Sequence, residues 1–497
     1  MVDSPYDVYF TACLSILLTA LVIWQCTRRP AGSPPGPAAL PVLGNMLMFR
    51  GKDKRRVFDD LRRQYGDLFG VYFGSRLLVV LNGYDLIQEA LVKNADVFTD
   101  RPQLLLRQQL CGTHGLINLS GSVYKEHRKF ITDTLRKLGF GKRSIETRVV
   151  EEVKHCLNLI DRDSPIAIDP RNLICNCVAN VTCSIIFGER FELDNPEFVR
   201  WLGVTEEIFK KSGSASVLNY FTILQYLPGD VFQVREIIKR FEFVLDFIHK
   251  RYAAQKENME TGEVSNFCDA YARESEKRFE NDQDTVFVDK QAVMVISDLF
   301  SGSMETTATT ILWALVFLAR HQDVQDRMRA EIDNVLSESE LPTWQDHQLL
   351  PFTGATIMEI QRCGDVTPFS LAHAVSRDIE FRGYKLPQNT IVIPFLHSVM
   401  NDPTLCPNPD EFNPSRFLDA DGNLQRPDWF IPFSLGHRKC LGESLAKIEM
   451  FTFLTSIVQQ YVIAPPENEP LPTLDGIVGL THTPKPFKVR FISRGSI

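Results

Sequence analysis

The sequence lacks a cationic excess. Its 54 lysines and arginines stand against 62 aspartates and glutamates in 497 residues, so no nucleic-acid partner is expected. A disulfide framework is missing as well: eleven cysteines are an odd number, irregularly spaced along a long chain, and read as reduced thiols of a cytosol-facing protein. The paired Cys-x-x-Cys knuckles of structural zinc sites are absent. The tightest cluster, Cys175, Cys177 and Cys183, is set among Leu173, Ile174, Val178, Val181, Ile185 and Ile186 and reads as the packing face of a buried helix. Without an internal repeat, solenoid architectures are excluded.

Long apolar runs are present, and one stands near the start. Val8 to Cys26 carries no charge, Trp24 lies near its end, and Arg28 and Arg29 follow it. That length spans a bilayer, and arginines after the run rather than before it argue for a retained anchor with the rest of the chain in the cytosol. Residues 1–29 are therefore read as the anchor. The proline-rich stretch 30–41, with Pro34-Pro35-Gly36-Pro37, reads as a stiff spacer, and 42–497 as the catalytic body.

In that body, Asp67 to Phe73 and Arg76 to Leu81 are β-rich runs separated by Gly74-Ser75, which predicts a hairpin. Strand-like zones return at Phe381 to Ile393 and Phe487 to Ile492. Most of the rest is helical in period, including Val149 to Ile160, Asp230 to Tyr252 and Gln291 to Arg320. The charged stretch Lys256 to Asp289 reads as a surface connection. The fold class is mainly α with a smaller β-sheet region.

The most informative stretch is Phe433-Ser434-Leu435-Gly436-His437-Arg438-Lys439-Cys440-Leu441-Gly442. It runs into Glu443-Ser444-Leu445-Ala446-Lys447, a good helix former. Unpaired N–H groups at that helix start favour a thiolate, and one thiolate without companion ligands suits an iron held mainly by a haem. The glycines let backbone approach a flat macrocycle, Phe433 would shield the sulfur, and Arg438 would pair with a propionate. Around Phe300-Ser301-Gly302-Ser303-Met304-Glu305-Thr306-Thr307 a second helix is apolar on both flanks but small and polar at its centre. Small residues let it pass close over a flat ligand, and Glu305 beside Thr306 forms an acid and alcohol pair able to relay protons.

The framing of Cys440 by Phe433, Gly436, Arg438 and Gly442 resembles the cysteine-ligand loop of the cytochrome P450 family of haem-thiolate monooxygenases, in its animal microsomal branch oxidising drugs, fatty acids and steroids. The resemblance runs from the anchor to Phe487. It implies the cytochrome P450 fold, haem b on the Cys440 thiolate, and proton delivery by Glu305 and Thr306, with Ser303 standing where glycine is usual. It matches Arg101, Arg128, His373 and Arg438 to propionate positions and Tyr124 to a position usually tryptophan. Glu359 and Arg362, facing each other at helical spacing, would join Arg416 in a triad that locks the segment before the cysteine loop.

Lining segments follow by position: Leu104 to Ile117, Val217 to Tyr226, Ser297 to Thr306, Thr367 to Ala372 and Gly479 to Thr481. Most of these residues are apolar, so the expected substrate is a lipophilic fatty acid, steroid, terpenoid or foreign compound. Tyr220 to Pro228 is either a membrane-dipping stretch or core. Arg136, Lys137, Lys142, Arg143 and Lys439 would form a basic face for NADPH–cytochrome P450 reductase, with cytochrome b5 as a second electron partner. The resemblance places the protein in the endoplasmic reticulum membrane. A haem-thiolate isomerase or dehydratase and a non-catalytic haem-binding protein are the alternatives, and the intact Glu305-Thr306 pair disfavours the isomerase or dehydratase.

Overall fold

The computed structural model describes residues 29–494 apart from 141–142, 164–165, 260–263 and 338–339. The expected anchor run Val8 to Cys26 and Lys142 lie outside the described residues. From Lys54–Tyr65 (α1) the chain enters the expected hairpin, Leu68–Phe73 (β1) and Arg76–Leu81 (β2). The strands pair antiparallel from Leu68 opposite Leu81 to Phe73 opposite Arg76, and Gly74 takes the positive φ of 60° that the tight turn demands. Then follow the helices Leu105–Cys111 (α2), Gly121–Lys137 (α3), Arg143–Asp163 (α4) and Arg171–Ile186 (α5), the long Asp289–Arg320 (α6) and Pro351–Gly364 (α7). The strands His373–Ala374 (β3) and Ile391–Pro394 (β4) precede Glu443–Gln460 (α8), and the pair Gly476–Val478 (β5) and His482–Pro484 (β6) lies near the end.

Helix α6 is the axis of the core. It is buried almost throughout because its sequence is apolar on every face, and it packs on α5, α7 and α8. Among the described residues it alone is long and apolar enough to cross a membrane, but here it is the central core helix. The indole N–H of its Trp313 donates to the His482 carbonyl at 2.9 Å, tying it to β6. Cys177 and Cys183 are buried on α5, as their apolar setting predicts.

The main sheet runs β1-β2-β4-β3, with β2 parallel to β4 and β3 antiparallel to it. The Ala374 N–H donates to the Asp100 carbonyl at 2.7 Å, so the sheet edge brings His373 beside Arg101. One contact adds to the spacer reading and one expectation is corrected. The proline-rich stretch does not stand free: the Arg29 guanidinium donates to the carbonyls of Pro34, Pro37 and Gly70, and Gly70 N–H donates to Pro35 at 2.8 Å. Within Lys256 to Asp289, read as a connection, lies the helix Phe267–Asn281. Asn266 caps it by accepting from the Asp269 N–H, Phe267 and Tyr271 bury one face, and its charges pair along the other as Asp269–Arg273 and Glu274–Arg278. The charge run concealed an amphipathic helix supported by i, i+4 pairs.

An ionic link fastens α1 to the end of α7. His397 lies 2.6 Å from Asp365 and 3.4 Å from Asp59, and Arg55 reaches Asp365 at 3.6 Å. Although burial opposes the charge, the two carboxylates push the His397 imidazole up to about 9. A raised folded pKa stabilises fully below the unfolded value of about 6.5 and is lost as pH climbs through about 9. Urea denaturation should therefore find wild type about 2–3 kcal/mol more stable than His397→Gln near pH 6, with the gap closing toward pH 10. A gap independent of pH would show that the imidazolium is not what joins these elements.

Candidate active site

The cysteine loop is a tight backbone construction. Cys440 N–H donates to the Phe433 carbonyl at 3.0 Å, closing the loop. Gly436 holds φ at 72°, and a Cβ there would come within 1.9 Å of the Leu91 carbonyl oxygen, so only glycine fits. Gly442 caps α8. Its N–H pulls the Cys440 thiol down, as Arg128 and Lys439 do, but burial is the larger effect and pushes the thiol up. The helix-start reading named the right donor and understated the burial. Cys440 nevertheless retains accessible surface, so the sulfur opens onto an interior recess.

Three arginines and a histidine border that recess, and among the described residues none of the four makes a salt bridge with a carboxylate. Arg101 donates to the Leu371 and Ala372 carbonyls at 2.8 Å each, and its Nε is buried with no partner. Burial, then the guanidinium charges of Arg438 and Arg107, push Arg101 well down. Arg438 reaches the carbonyls of Thr99, Leu116 and Leu119 over the Tyr124 ring at 3.3 Å, and burial pushes it down to about 10. Arg128 holds the Lys439 carbonyl at 2.6 Å. His373, its Nδ1 on the Phe98 carbonyl at 2.6 Å, is pushed well down by burial and by Arg101. The Tyr124 hydroxyl donates its proton to the His437 carbonyl at 2.9 Å, and its ring is a platform for Arg438. Buried cations without anions are costly. Together with one soft sulfur they make a donor set that fits a haem, whose propionates supply two negative charges.

The opposite wall is α6. Arg438 and α6 share the 116–119 segment: Arg438 holds Leu116 and Leu119, while the Ile117 N–H donates to Asp298 at 2.8 Å. One turn on, Gly302 is exposed inside an otherwise buried helix, and a Cβ there would meet nothing within 4 Å, so a flat group has room against it. Thr306 turns to this side, its hydroxyl donating to the Gly302 carbonyl at 2.9 Å. Ser303 does not: its hydroxyl lies 2.8 Å from Thr182 on α5, so it leaves the recess side of α6 uncrowded.

Glu305 and Thr306 point apart. The Glu305 carboxylate accepts from the Thr481 hydroxyl at 3.1 Å and from Thr309 at 3.5 Å, and burial pushes it up. The expected lining segments do converge. Leu106 N–H donates to Asn219 at 3.0 Å and Gln109 bonds Gln225 at 3.1 Å, while Thr481 meets Glu305 and Arg101 meets the 371–372 segment.

The triad forms. Arg362 chelates Glu359 at 2.7 and 2.9 Å, Arg416 adds a bond at 3.0 Å, and both arginines donate to the Glu411 carbonyl. On the cysteine-loop side Lys439 pairs with Glu443 at 2.7 Å and Arg136 with Asp133 at 3.7 Å, so neither lysine nor arginine is an isolated charge.

Among the ionisable residues that the sequence reading did not single out are the half-buried Arg107 and Asp298 and the fully buried Glu449. Burial pushes Asp298 up to about 6 and Glu449, on α8, well above the ordinary range. The available signal was a charged residue inside an apolar stretch, as in Glu449-Met450-Phe451.

Residues 34–491 match the family model described as Cytochrome P450. The chain is similar to Cytochrome P450 2H1 of Gallus gallus, at 35% identity over 486 residues and 97% of each chain. It is 37% identical to Cytochrome P450 18a1 of Drosophila melanogaster over 95% of this chain and 90% of that one. Identity to Cytochrome P450 2B4 of Oryctolagus cuniculus is 36%, over 93% and 94%.

Proposed function

The chain belongs to the cytochrome P450 family of monooxygenases, and from that membership we propose that it is anchored in the endoplasmic reticulum membrane and inserts one oxygen atom into a lipophilic substrate with NADPH-derived electrons from a flavin reductase. The observation that supports this reading is Cys440 in its closed loop beside arginines that, among the described residues, make no salt bridge with a carboxylate. Cys440 would hold the iron, and Arg101, Arg128, Arg438 and His373 the propionates. Haem, when bound, supplies the activation of dioxygen and the transfer of one oxygen atom.

The chain's own task is to control protons and water. Thr306 presents its hydroxyl oxygen on the recess side of α6 and would pass a proton there. Glu305, kept closer to neutrality by burial, would supply it after leaving Thr481. Exposed Leu40, Val42, Leu43 and Leu47 on one segment and Tyr226, Leu227 and Val231 on another suit contact with the membrane, a lipophilic substrate's source. These segments meet at the β1–β2 turn, where Gly74 N–H donates to Leu43 and Phe73 packs on Tyr220. A groove lined by Trp344, Lys439, Leu441, Glu443 and Lys447 borders the cysteine loop and would receive the reductase or cytochrome b5.

With reductase, NADPH and a turned-over substrate, Thr306→Ala should keep consuming dioxygen while product per dioxygen falls about tenfold or more and hydrogen peroxide takes its place. Unchanged coupling would reject the role of Thr306, and wild-type turnover without NADPH would favour the isomerase or dehydratase alternative.

A further inference from the structure

Next to the groove at the cysteine loop lies a second cleft, of about 180 Å³, and Trp344 and Lys447 line both. It is formed where α7, α8 and the short 3-10 turn Trp344–Leu349 meet. Its walls are aromatic. Trp344 and His347 stack with ring centres 4.4 Å apart, and Phe451 of α8 stands edge-on to both at 5.7 and 5.5 Å. Gly354, inside α7, lets the opposite wall close in: a Cβ there would come within 2.9 Å of Leu424 and 3.6 Å of the His347 ring.

Two features of this cleft call for a ligand. Gln361 lines it from α7 with only 8% of its surface exposed, and among the described residues its side-chain amide makes no hydrogen bond. A buried amide left unpaired is costly, so a partner from outside is favoured. The lining also holds two cations, Arg426 and Lys447, and no acid. Both lean on Glu443 at the edge of the cleft, at 3.1 and 2.7 Å, where Lys439 pairs as well at 2.7 Å. Burial works against the charge of Glu443, yet Lys439 and Lys447 pull it down to about 2. One carboxylate thus serves three cations, which leaves two positive charges over.

We infer that this cleft is a binding site for a planar aromatic carboxylate, its ring against Trp344, His347 and Phe451, its anionic group toward Lys447 and Arg426, and a hydrogen bond to the Gln361 amide. Ring faces and edges suit another ring, the carboxylate supplies the missing counter-charge, and Gln361 gains a partner. The occupant shares walls with the groove at the cysteine loop but touches none of the residues proposed to hold the haem.

The test is isothermal titration calorimetry of the purified full-length haem protein with 2-naphthoate and with 2-naphthamide, the same ring without the charge. The iron is first saturated with a coordinating azole, so that the recess at Cys440 is filled. Wild type should bind one naphthoate with a dissociation constant of about 0.1 mM and the amide about tenfold more weakly. Lys447→Met should weaken naphthoate about fivefold and leave the amide within about twofold, whereas Gln361→Leu should weaken both about fivefold. Lys447 is half-exposed, so its replacement leaves the fold intact and decides the matter even where Gln361→Leu fails to fold. Absence of naphthoate binding below about 1 mM, loss of binding once the azole is present, equal binding of naphthoate and amide, or wild-type naphthoate affinity in Lys447→Met would each overturn the inference. The azole's own spectral shift keeps the two levels apart: its absence would count against the haem reading, and the Lys447→Met titration would still decide the cleft.

Discussion

Cys440→Ser loses the red-shifted Soret band of the reduced carbon-monoxide complex completely, and turnover with it. Serine fits the loop, because the closing hydrogen bond to Phe433 uses the Cys440 backbone N–H and the side chain differs by one atom. The change is therefore electronic. An alcohol is a poor ligand for iron and gives up its proton far less readily than a thiol, whereas the thiolate is what pushes electron density onto the metal. The surroundings sharpen the contrast. Burial already pushes the Cys440 thiol up, so a thiolate would form there only with a metal cation to take the charge, a ligation that the hydroxyl supports poorly. Circular dichroism of the variant should match wild type. Retention of the band in Cys440→Ser would remove Cys440 from the site altogether.

Glu359→Gln should cost about 3–5 kcal/mol of stability, the range for removing one partner of a buried ion pair. Both Glu359 and Arg362 have no exposed side-chain surface and Arg416 has 10%, so solvent cannot take over the lost charge. Glutamine keeps the shape and can still accept from one arginine, yet it leaves two guanidinium groups facing a neutral amide. The damage reaches the site through the backbone: Asn413 N–H donates to Glu359 at 2.8 Å, and both arginines gather the Glu411 carbonyl that precedes the cysteine loop. Urea midpoints measure the loss, and haem content should fall in parallel. Replacing Glu359 and Arg362 together by leucine should cost less than the sum of the single replacements, because no partner is left charged in the core. A Glu359→Gln protein within about 1 kcal/mol of wild type would mean that the triad is incidental.

The hairpin, the central helix and the cysteine loop were legible because their signals are local: a Gly-Ser pair between β-rich runs, an unbroken apolar period, a cysteine framed by glycines. Helix Phe267–Asn281 was not, since an amphipathic helix with paired charges has the composition of a loop, and its apolar residues gain meaning only against the core they face. Arg107 and Asp298 were hidden for the opposite reason, being single charges in stretches read as apolar walls. The docking of the proline stretch was not legible either, because its partner on β1 is distant in the chain: Arg29 and Gly70 are 41 positions apart.

By itself the sequence determined which chemistry this protein can carry: one soft ligand in a loop only glycine can turn, cations enough for a dianionic cofactor, an acid and an alcohol side by side on a buried helix. Only the tertiary structure decided where each of these points. Adjacent helical residues diverge by about 100°, so Thr306 and Glu305 cannot face the same way, and packing against β6 and α5 sends Glu305 to Thr481 and Ser303 to Thr182. The same packing spends the Tyr124 proton on His437. Direction is a property of neighbours distant in the chain, and those neighbours exist only once the core has closed.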